Sequence, residues 1–341
     1  MEMTCLGKTG LFVTRSAFGA LPIQRLTVEE AVKLLLRAYD AGINFYDTAR
    51  NYTDSEEKLG AAFAGKRSQI IIATKTSATT EEKFWLDLNT SLKNLRTDYI
   101  DIYQFHNPDP VCDAKDSPIY ACMLQAQREG KIRHIGVTCH KITNARLALN
   151  SGLYATIQYP LSALSSDEEI LFAQECGKQN VGFIAMKALS GGLLDSAAYS
   201  MAYLRFMPHV VPIWGFQFDK DLDEVIQLEN NPPLLDEKMK EIIAKHRKEL
   251  TGDFCRGCGY CLPCTMEIRI NWMARMPQLI RRAPYQQFFT KEWQLEHKKI
   301  EDCTECEDCL ERCPYDLDIP RLLKASAADY IIFGKEHGYD L

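Results

Sequence analysis

The stretch QIIIATKTSATTEEKFWLDLNTSLKNLRTDYIDIYQFH, residues 69–106, decides the fold. QIIIATKT (69–76) and YIDIYQFH (99–106) are nearly continuous in apolar character, which is how strands buried on both faces read. Between them TTEEKFWLDLNTSLKNL (79–95) starts with a threonine cap and two glutamates and continues with helical periodicity. The result is strand, helix, strand.

The same alternation extends in both directions. Further strands are expected at SAFGAL (16–21), INFYDT (43–48), IRHIGVTC (132–139), YATIQYPL (154–161), VGFIAMKAL (181–189) and HVVPIWG (209–215). Helices are expected over 28–42, 54–64, 117–131, 141–151, 166–179, 195–207 and 219–229. Eight strands, each followed by a helix, predict a closed (β/α)8 TIM barrel of roughly 250 residues. An open doubly wound sheet fits less well, because no Gly-rich dinucleotide turn follows the first strand. Ahead of it, EMTCLGKTGLFVTR predicts a β-hairpin turning at Lys8–Gly10 and plugging the bottom of the barrel. The alternation stops near Pro232–Pro233, where a charged helix (234–250) leads into a cysteine-rich tail. This places a barrel domain over 1–250 and a second domain over 251–341.

The chain has 341 residues, 46% apolar and 25% charged, which is ordinary globular composition. A net charge of −6 argues against nucleic-acid binding, which needs a basic surface. No apolar run is long enough to cross a bilayer, and the N-terminus lacks an apolar signal core. A cytoplasmic protein is expected. Of its 13 cysteines, Cys5, Cys112, Cys122, Cys139 and Cys176 are scattered, as small buried residues are. The other eight form two dense runs.

Catalytic groups in such barrels sit at the C-terminal ends of strands. Those ends carry Asp47, Lys75 and His106, and Tyr52 follows Asp47 in the next loop. Taken singly, each residue is a cap, a surface charge or a polar strand end. Taken together they supply a carboxylate, an amine, an imidazole and a phenol to one rim. FYDTARNYTDSEEKLG (45–60), the lysine of IIIATK and the histidine of IYQFHNPD resemble the aldo-keto reductases over most of residues 3–228. That resemblance implies that Asp47, Tyr52, Lys75 and His106 form a catalytic tetrad. An ammonium beside a phenol favours the phenolate and eases proton transfer to a carbonyl oxygen.

The resemblance also implies a nicotinamide at the barrel mouth. Thr138 and Gln158 match the residues that hold its carboxamide, Met186 the position beside its ring, and Ser190 and Gly191 the pyrophosphate loop. Gly215 and Glu224 remain of the last nucleotide motif, IWGFQFDKDLDEV. There Lys220 stands among Asp219, Asp221 and Asp223. Such an acidic set repels a 2′-phosphate, which favours NADH over NADPH.

The cysteine runs are CRGCGYCLPC (255–264) and CTECEDCLERCP (303–314). The second, with Cys303, Cys306, Cys309, Cys313 and then Pro314, has the bacterial spacing for a 4Fe-4S cluster. The first holds Cys255, Cys258, Cys261 and Cys264, one residue short in its last gap. Zinc ribbons, which use paired CxxC ligands, are the alternative. In two-cluster ferredoxins the fourth cysteine of each run ligates the other cluster. The expected sets are therefore Cys255, Cys258, Cys261 and Cys313 for one cluster, and Cys303, Cys306, Cys309 and Cys264 for the other. The aromatics between the runs are expected to form a small core. The whole layout resembles an aldo-keto reductase subgroup with a C-terminal dicluster ferredoxin-like domain.

The expected function is reduction of a small carbonyl compound, or oxidation of an alcohol, with NAD(P)H and two 4Fe-4S clusters, and with a redox partner protein possible for the clusters. One alternative is an oxidoreductase fed by the clusters without nicotinamide. The other is a redox-responsive regulator on an idle barrel.

Overall fold

The structure, a computed structural model, describes residues 1–115, 117–194, 196–250, 254–282 and 285–341. Two compact units divide it. The first comprises Met1–Ala188 and Ala197–Lys240; the second comprises Leu189–Ser196 and Glu241–Leu341. The expected seam at residues 250 and 251 touches 251–253, which lie outside the described residues.

The first unit begins with the antiparallel pair β1 (Met3–Cys5) and β2 (Phe12–Thr14). Eight parallel strands follow: β3 (Ala17–Gly19), β4 (Phe45–Asp47), β5 (Ile71–Thr76), β6 (Ile100–His106), β7 (Ile132–Thr138), β8 (Thr156–Pro160), β9 (Gly182–Met186) and β10 (Val210–Gly215). They close in sequence order, with β10 pairing back onto β3. The barrel is the expected one, and the open doubly wound sheet is excluded. Its helices are α1 (Val28–Asp40), α2 (Ser55–Ala62), α3 (Glu81–Asn94), α4 (Pro118–Arg128), α5 (Ile142–Ser151), α6 (Asp167–Lys178), α7 (Ala197–Leu204) and α8 (Asp219–Asn230). The helix expected over 195–207 includes Asp195, which lies outside the described residues.

Local chemistry starts these helices where the polar signals stand. Thr27 and Glu30 form a reciprocal capping box at α1, and Ser166 with Glu169 repeats it at α6. The Thr80 hydroxyl accepts from the Lys83 amide at the start of α3.

The barrel interior is a packed core of Ala17, Phe45, Ala73, Ile102, Ile184, Val211 and Ile213, closed at the strands' N-terminal end by Leu6 and Val13 of the hairpin. The hairpin is anchored by the Lys8 amide on the Asn180 carbonyl and by the Asn44 side chain on the Thr14 amide. Gly7 makes the approach possible. It has φ +55°, and a Cβ there would lie 2.2 Å from the Gly182 nitrogen. Gly7→Ala is expected to destabilise the barrel by more than about 1 kcal/mol, read as a lower urea midpoint.

The second unit contains α9 (Glu237–Glu249), α10 (Ile270–Met273), α11 (Met276–Arg282), α12 (Lys291–Lys298), α13 (Asp308–Glu311) and α14 (Ile319–Glu336). Only Glu241 onward of α9 groups with it. The expected aromatic core is present: Phe288 and Phe289 are buried, with Trp272, Tyr285 and Trp293 packed against them. Phe289 stacks on Tyr330 of α14 at 4.5 Å, and the Tyr330 hydroxyl donates to the Phe288 carbonyl. No helix of the described residues is long and apolar enough to cross a membrane.

Candidate functional site

Strand register brings the polar strand ends together. Asp47 closes β4, Lys75 pairs in register with Gln104 on β6, and His106 pairs with Thr138, which pairs with Gln158. Lys75, 1% exposed, donates to Asp47 Oδ2 at 2.7 Å and to the Thr48 carbonyl at 2.6 Å. Its ammonium lies 5.2 Å from the centre of the Tyr52 ring, and that ring meets His106 edge-on at 5.8 Å. All four expected tetrad residues thus stand in one cluster.

Burial acts on each charge. It raises the Asp47 carboxyl and lowers the Lys75 amine, while their ion pair opposes both shifts. His106 is pushed down to about 3, first by burial and then by the Lys75 charge. The imidazole is therefore neutral at physiological pH and keeps an N–H to donate. The sign for stability follows. Unfolded chains take up this proton below the ordinary value near ~6.5, and the folded site refuses it until about 3, so stability is lost as pH falls through that window. Between pH 7 and 5, wild type is expected to lose up to about 1.4 kcal/mol per pH unit more than His106→Gln, measured by urea unfolding.

Several residues that serve the site were not singled out from the sequence. Gln104 donates to Gln158 Oε1 at 2.9 Å and lies 3.4 Å from Asp47 Oδ1. Its one signal was an amide inside the apolar run IYQFH. Glu56, fully buried, pairs with Arg50 and accepts from Thr74 at 2.7 Å. Lys58 donates to the Ile23 and Leu26 carbonyls and to Asp54, and Ser55 bonds Thr48 and the Ala20 carbonyl. Ser55, Glu56 and Lys58 of DSEEKLG therefore face inward and fasten the loop that presents Tyr52, while Glu57 is exposed.

The residues expected around a nicotinamide have mixed surroundings. The Thr138 hydroxyl accepts from the Asn107 amide at 2.9 Å. Gln158 is 1% exposed and spends its amide on Gln104 and Asp47. Met186 ends β9 within the barrel's apolar cluster. Glu224 accepts from the Ala197 amide at 2.9 Å, so it fastens the start of α7. Gly215 is exposed at the end of β10, beside Pro22. Ser190 and Gly191, both at positive φ, belong to the second unit's Leu189–Ser196 segment. Arg37 of α1 pairs with both Asp219 and Asp223, so one cation offsets part of the negative charge expected to repel a 2′-phosphate.

In the second unit the eight run cysteines divide between two hollows. One is lined by Cys255, Cys258, Cys261 and Cys313, the other by Cys264, Cys303, Cys306 and Cys309. Burial pushes the Cys261 thiol up to about 12, reinforced by Cys255, Cys258 and Cys313. Cys309 is raised by burial and by Cys303, Cys306 and Cys264. The fourth sulfur of each group comes from the other run. Four thiols that disfavour one another's ionisation fit a cationic metal–sulfur core, whose positive charge reverses that penalty. Of the scattered cysteines, Cys122, Cys139 and Cys176 are buried as expected, whereas Cys112 is half-buried and Cys5 is exposed.

A closed parallel barrel with a lysine–carboxylate pair on its rim, followed by paired four-thiol hollows, defines a redox-type architecture. The chain belongs to the aldo/keto reductase family, whose model matches residues 16–246, and the model of the 4Fe-4S dicluster domain matches residues 254–318. It is 32% identical over 188 residues to the aldo-keto reductase YhdN of Bacillus subtilis, covering 50% of this chain and 56% of that protein. It is 34% identical over 154 residues to L-galactose dehydrogenase of Arabidopsis thaliana, covering 40% and 48%. The chain thus spans about half the length of these relatives. Methylglyoxal reductase DkgB of Salmonella typhi is 30% identical over 167 residues, covering 47% of this chain and 62% of that protein. Among solved structures, the holo form of an aldo-keto reductase from Bacillus halodurans matches with TM-score 0.63 and 21% identity, covering 72% of this chain and 96% of that one.

Proposed function

We propose that this protein is an oxidoreductase that reduces a small carbonyl compound to an alcohol, or runs the reverse, at Asp47, Tyr52, Lys75 and His106. The observation that carries the reading is the buried Lys75 ammonium, held by Asp47 at 2.7 Å and lying 5.2 Å from the Tyr52 ring. Asp47 keeps Lys75 charged against burial. Lys75 in turn stabilises negative charge on the Tyr52 oxygen. His106, neutral, donates to the carbonyl oxygen and orients it, and Tyr52 passes its proton to that oxygen. A reduced nicotinamide, when bound, supplies the hydride. Thr138, Gln158, Met186, Ser190, Gly191, Gly215 and Glu224 would hold it, with the acidic set around Lys220, only partly offset by Arg37, favouring NADH over NADPH. The names of the Salmonella and Arabidopsis relatives, a reductase of an aldehyde and a dehydrogenase of a sugar, support carbonyl and alcohol chemistry.

Residues 251–341 would form a domain holding two 4Fe-4S clusters, one on Cys255, Cys258, Cys261 and Cys313, the other on Cys264, Cys303, Cys306 and Cys309. The crossed grouping of the thiols favours this over zinc ribbons, whose ligands pair within a run. The thiol hollows also favour a second reading, in which a redox partner protein feeds electrons to the site through the clusters.

Anaerobic purification with iron and sulfide analysis, followed by calorimetric titration with NADH and NADPH, tests both cofactors. The proposal expects about eight irons per chain and saturable binding of at least one nucleotide. Zinc in place of iron, or no nucleotide binding, would defeat it. Aldehyde reduction by dithionite alone would favour the second reading.

A further inference from the structure

Arg275, in the joint between α10 and α11, is 7% exposed. Its Nε has no hydrogen-bond partner, and among the described residues no carboxylate pairs with it. A buried charge without a partner is costly and calls for an anion. The guanidinium lies against the turn between Cys255 and Cys258: a Cβ on Gly257 would sit 2.3 Å from Nη1. The Gly257 amide itself points to Cys255 Sγ at 3.3 Å. On the other side, a Cβ on Gly191 would lie 2.9 Å from the same Nη1.

The two thiol hollows differ in the charges around them. That of Cys255, Cys258, Cys261 and Cys313 is lined by Arg256 and by no carboxylate. That of Cys264, Cys303, Cys306 and Cys309 is lined by Glu305, Glu307 and Asp308, with Arg312 as its one lining cation. Arg312 stands 4.0 Å from the Asp308 carboxylate, and both are partly open to water. Arg275, with which no carboxylate among the described residues pairs and whose guanidinium lies 5.8 Å from the centre of the Trp272 ring, is thus the buried cation set against the turn of the first hollow's cysteines.

We propose that Arg275 is the counter-charge of the cluster held by Cys255, Cys258, Cys261 and Cys313, and raises that cluster's reduction potential. The proposal rests on the reading that clusters occupy these hollows. One-electron reduction by an external donor adds one negative charge to the cluster, and a fixed guanidinium in a poorly solvated site stabilises the reduced form more than the oxidised one. Net charge near the cluster is a known lever on its potential.

The test is a dithionite titration of the full-length, anaerobically purified protein with redox mediators, followed by EPR. Iron and sulfide content is measured in every sample. Arg275→Gln is expected to shift the first cluster's equilibrium at least tenfold toward the oxidised form at fixed potential, a fall of about 59 mV for one electron, while the second cluster's signal keeps its midpoint. Arg275→Met, which removes the charge without leaving a buried polar group unmet, is expected to do the same. Arg275→Lys should recover most of the difference. Unchanged midpoints in both neutral variants, or equal shifts of both clusters, would overturn the proposal. So would an unmoved potential accompanied by weaker NADH or NADPH binding, which would assign the guanidinium to a phosphate instead. Wild-type protein without iron would instead defeat the cluster reading itself.

Discussion

Replacing Tyr52 by Phe is expected to lower kcat for aldehyde reduction by about 10²–10⁴-fold, the usual contribution of a positioned acid, while leaving nucleotide affinity unchanged. The substitution keeps the ring that meets His106 edge-on and lies near the Lys75 ammonium, and removes only the oxygen. Lys75 still has Asp47 and the Thr48 carbonyl as partners, so its buried ammonium stays paired. Lys75→Met is a poorer probe. It would strip Asp47, 2% exposed, of its ammonium, and breaking a buried pair costs about 3–5 kcal/mol. Loss of activity there would mix catalysis with folding. Steady-state kinetics and calorimetry on Tyr52→Phe separate the two. A kcat within a few-fold of wild type would remove Tyr52 from the acid role.

The second large effect concerns the thiol sets. Cys313→Ala is expected to remove about half of the iron and sulfide and to abolish one EPR signal. Cys264→Ala is expected to abolish the other. Because Cys313 faces Cys255, Cys258 and Cys261 across the first hollow, its loss should free the segment around residues 255–261, read as faster proteolysis there. If each run served its own cluster, Cys313→Ala and Cys306→Ala would abolish the same signal. The crossed arrangement requires them to abolish different ones. Double loss in either single variant would argue for one shared cluster instead.

Much of this was legible in the sequence. The eight apolar runs stood out because parallel strands covered on both faces have little polar character, and Asp47, Lys75 and His106 stood out as polar letters near the ends of three of those runs, with Tyr52 in the loop after the first of the three. The crossed thiol sets followed from the two-cluster ferredoxin pattern that the runs resemble. What escaped detection depended on partners far apart in the chain. Gln104 and Gln158 meet only because β6, β7 and β8 align in register. Arg37 reaches Asp219 and Asp223 because α1 and α8 flank strands that are first and last in sequence yet neighbours in the closed barrel. That contact tempers the acidic charge expected to repel a 2′-phosphate. Glu56 and Lys58 were not singled out, and their burial shows that they brace the Tyr52 loop. Arg275 carried no signal at all, since its significance lies in Gly257 and Gly191 being close enough to touch.

The central claim is that carbon receives hydride directly at the Tyr52–Lys75 cluster. The most direct measurement uses iron-loaded protein, an activated aromatic aldehyde, and NADH or NADPH deuterated on each face of the nicotinamide in turn, with the alcohol analysed by mass spectrometry. Deuterium on the carbinol carbon from one face only, absent with Tyr52→Phe, is the predicted result. Alcohol formed without label from either face would contradict it and shift the chemistry to electrons delivered through the clusters.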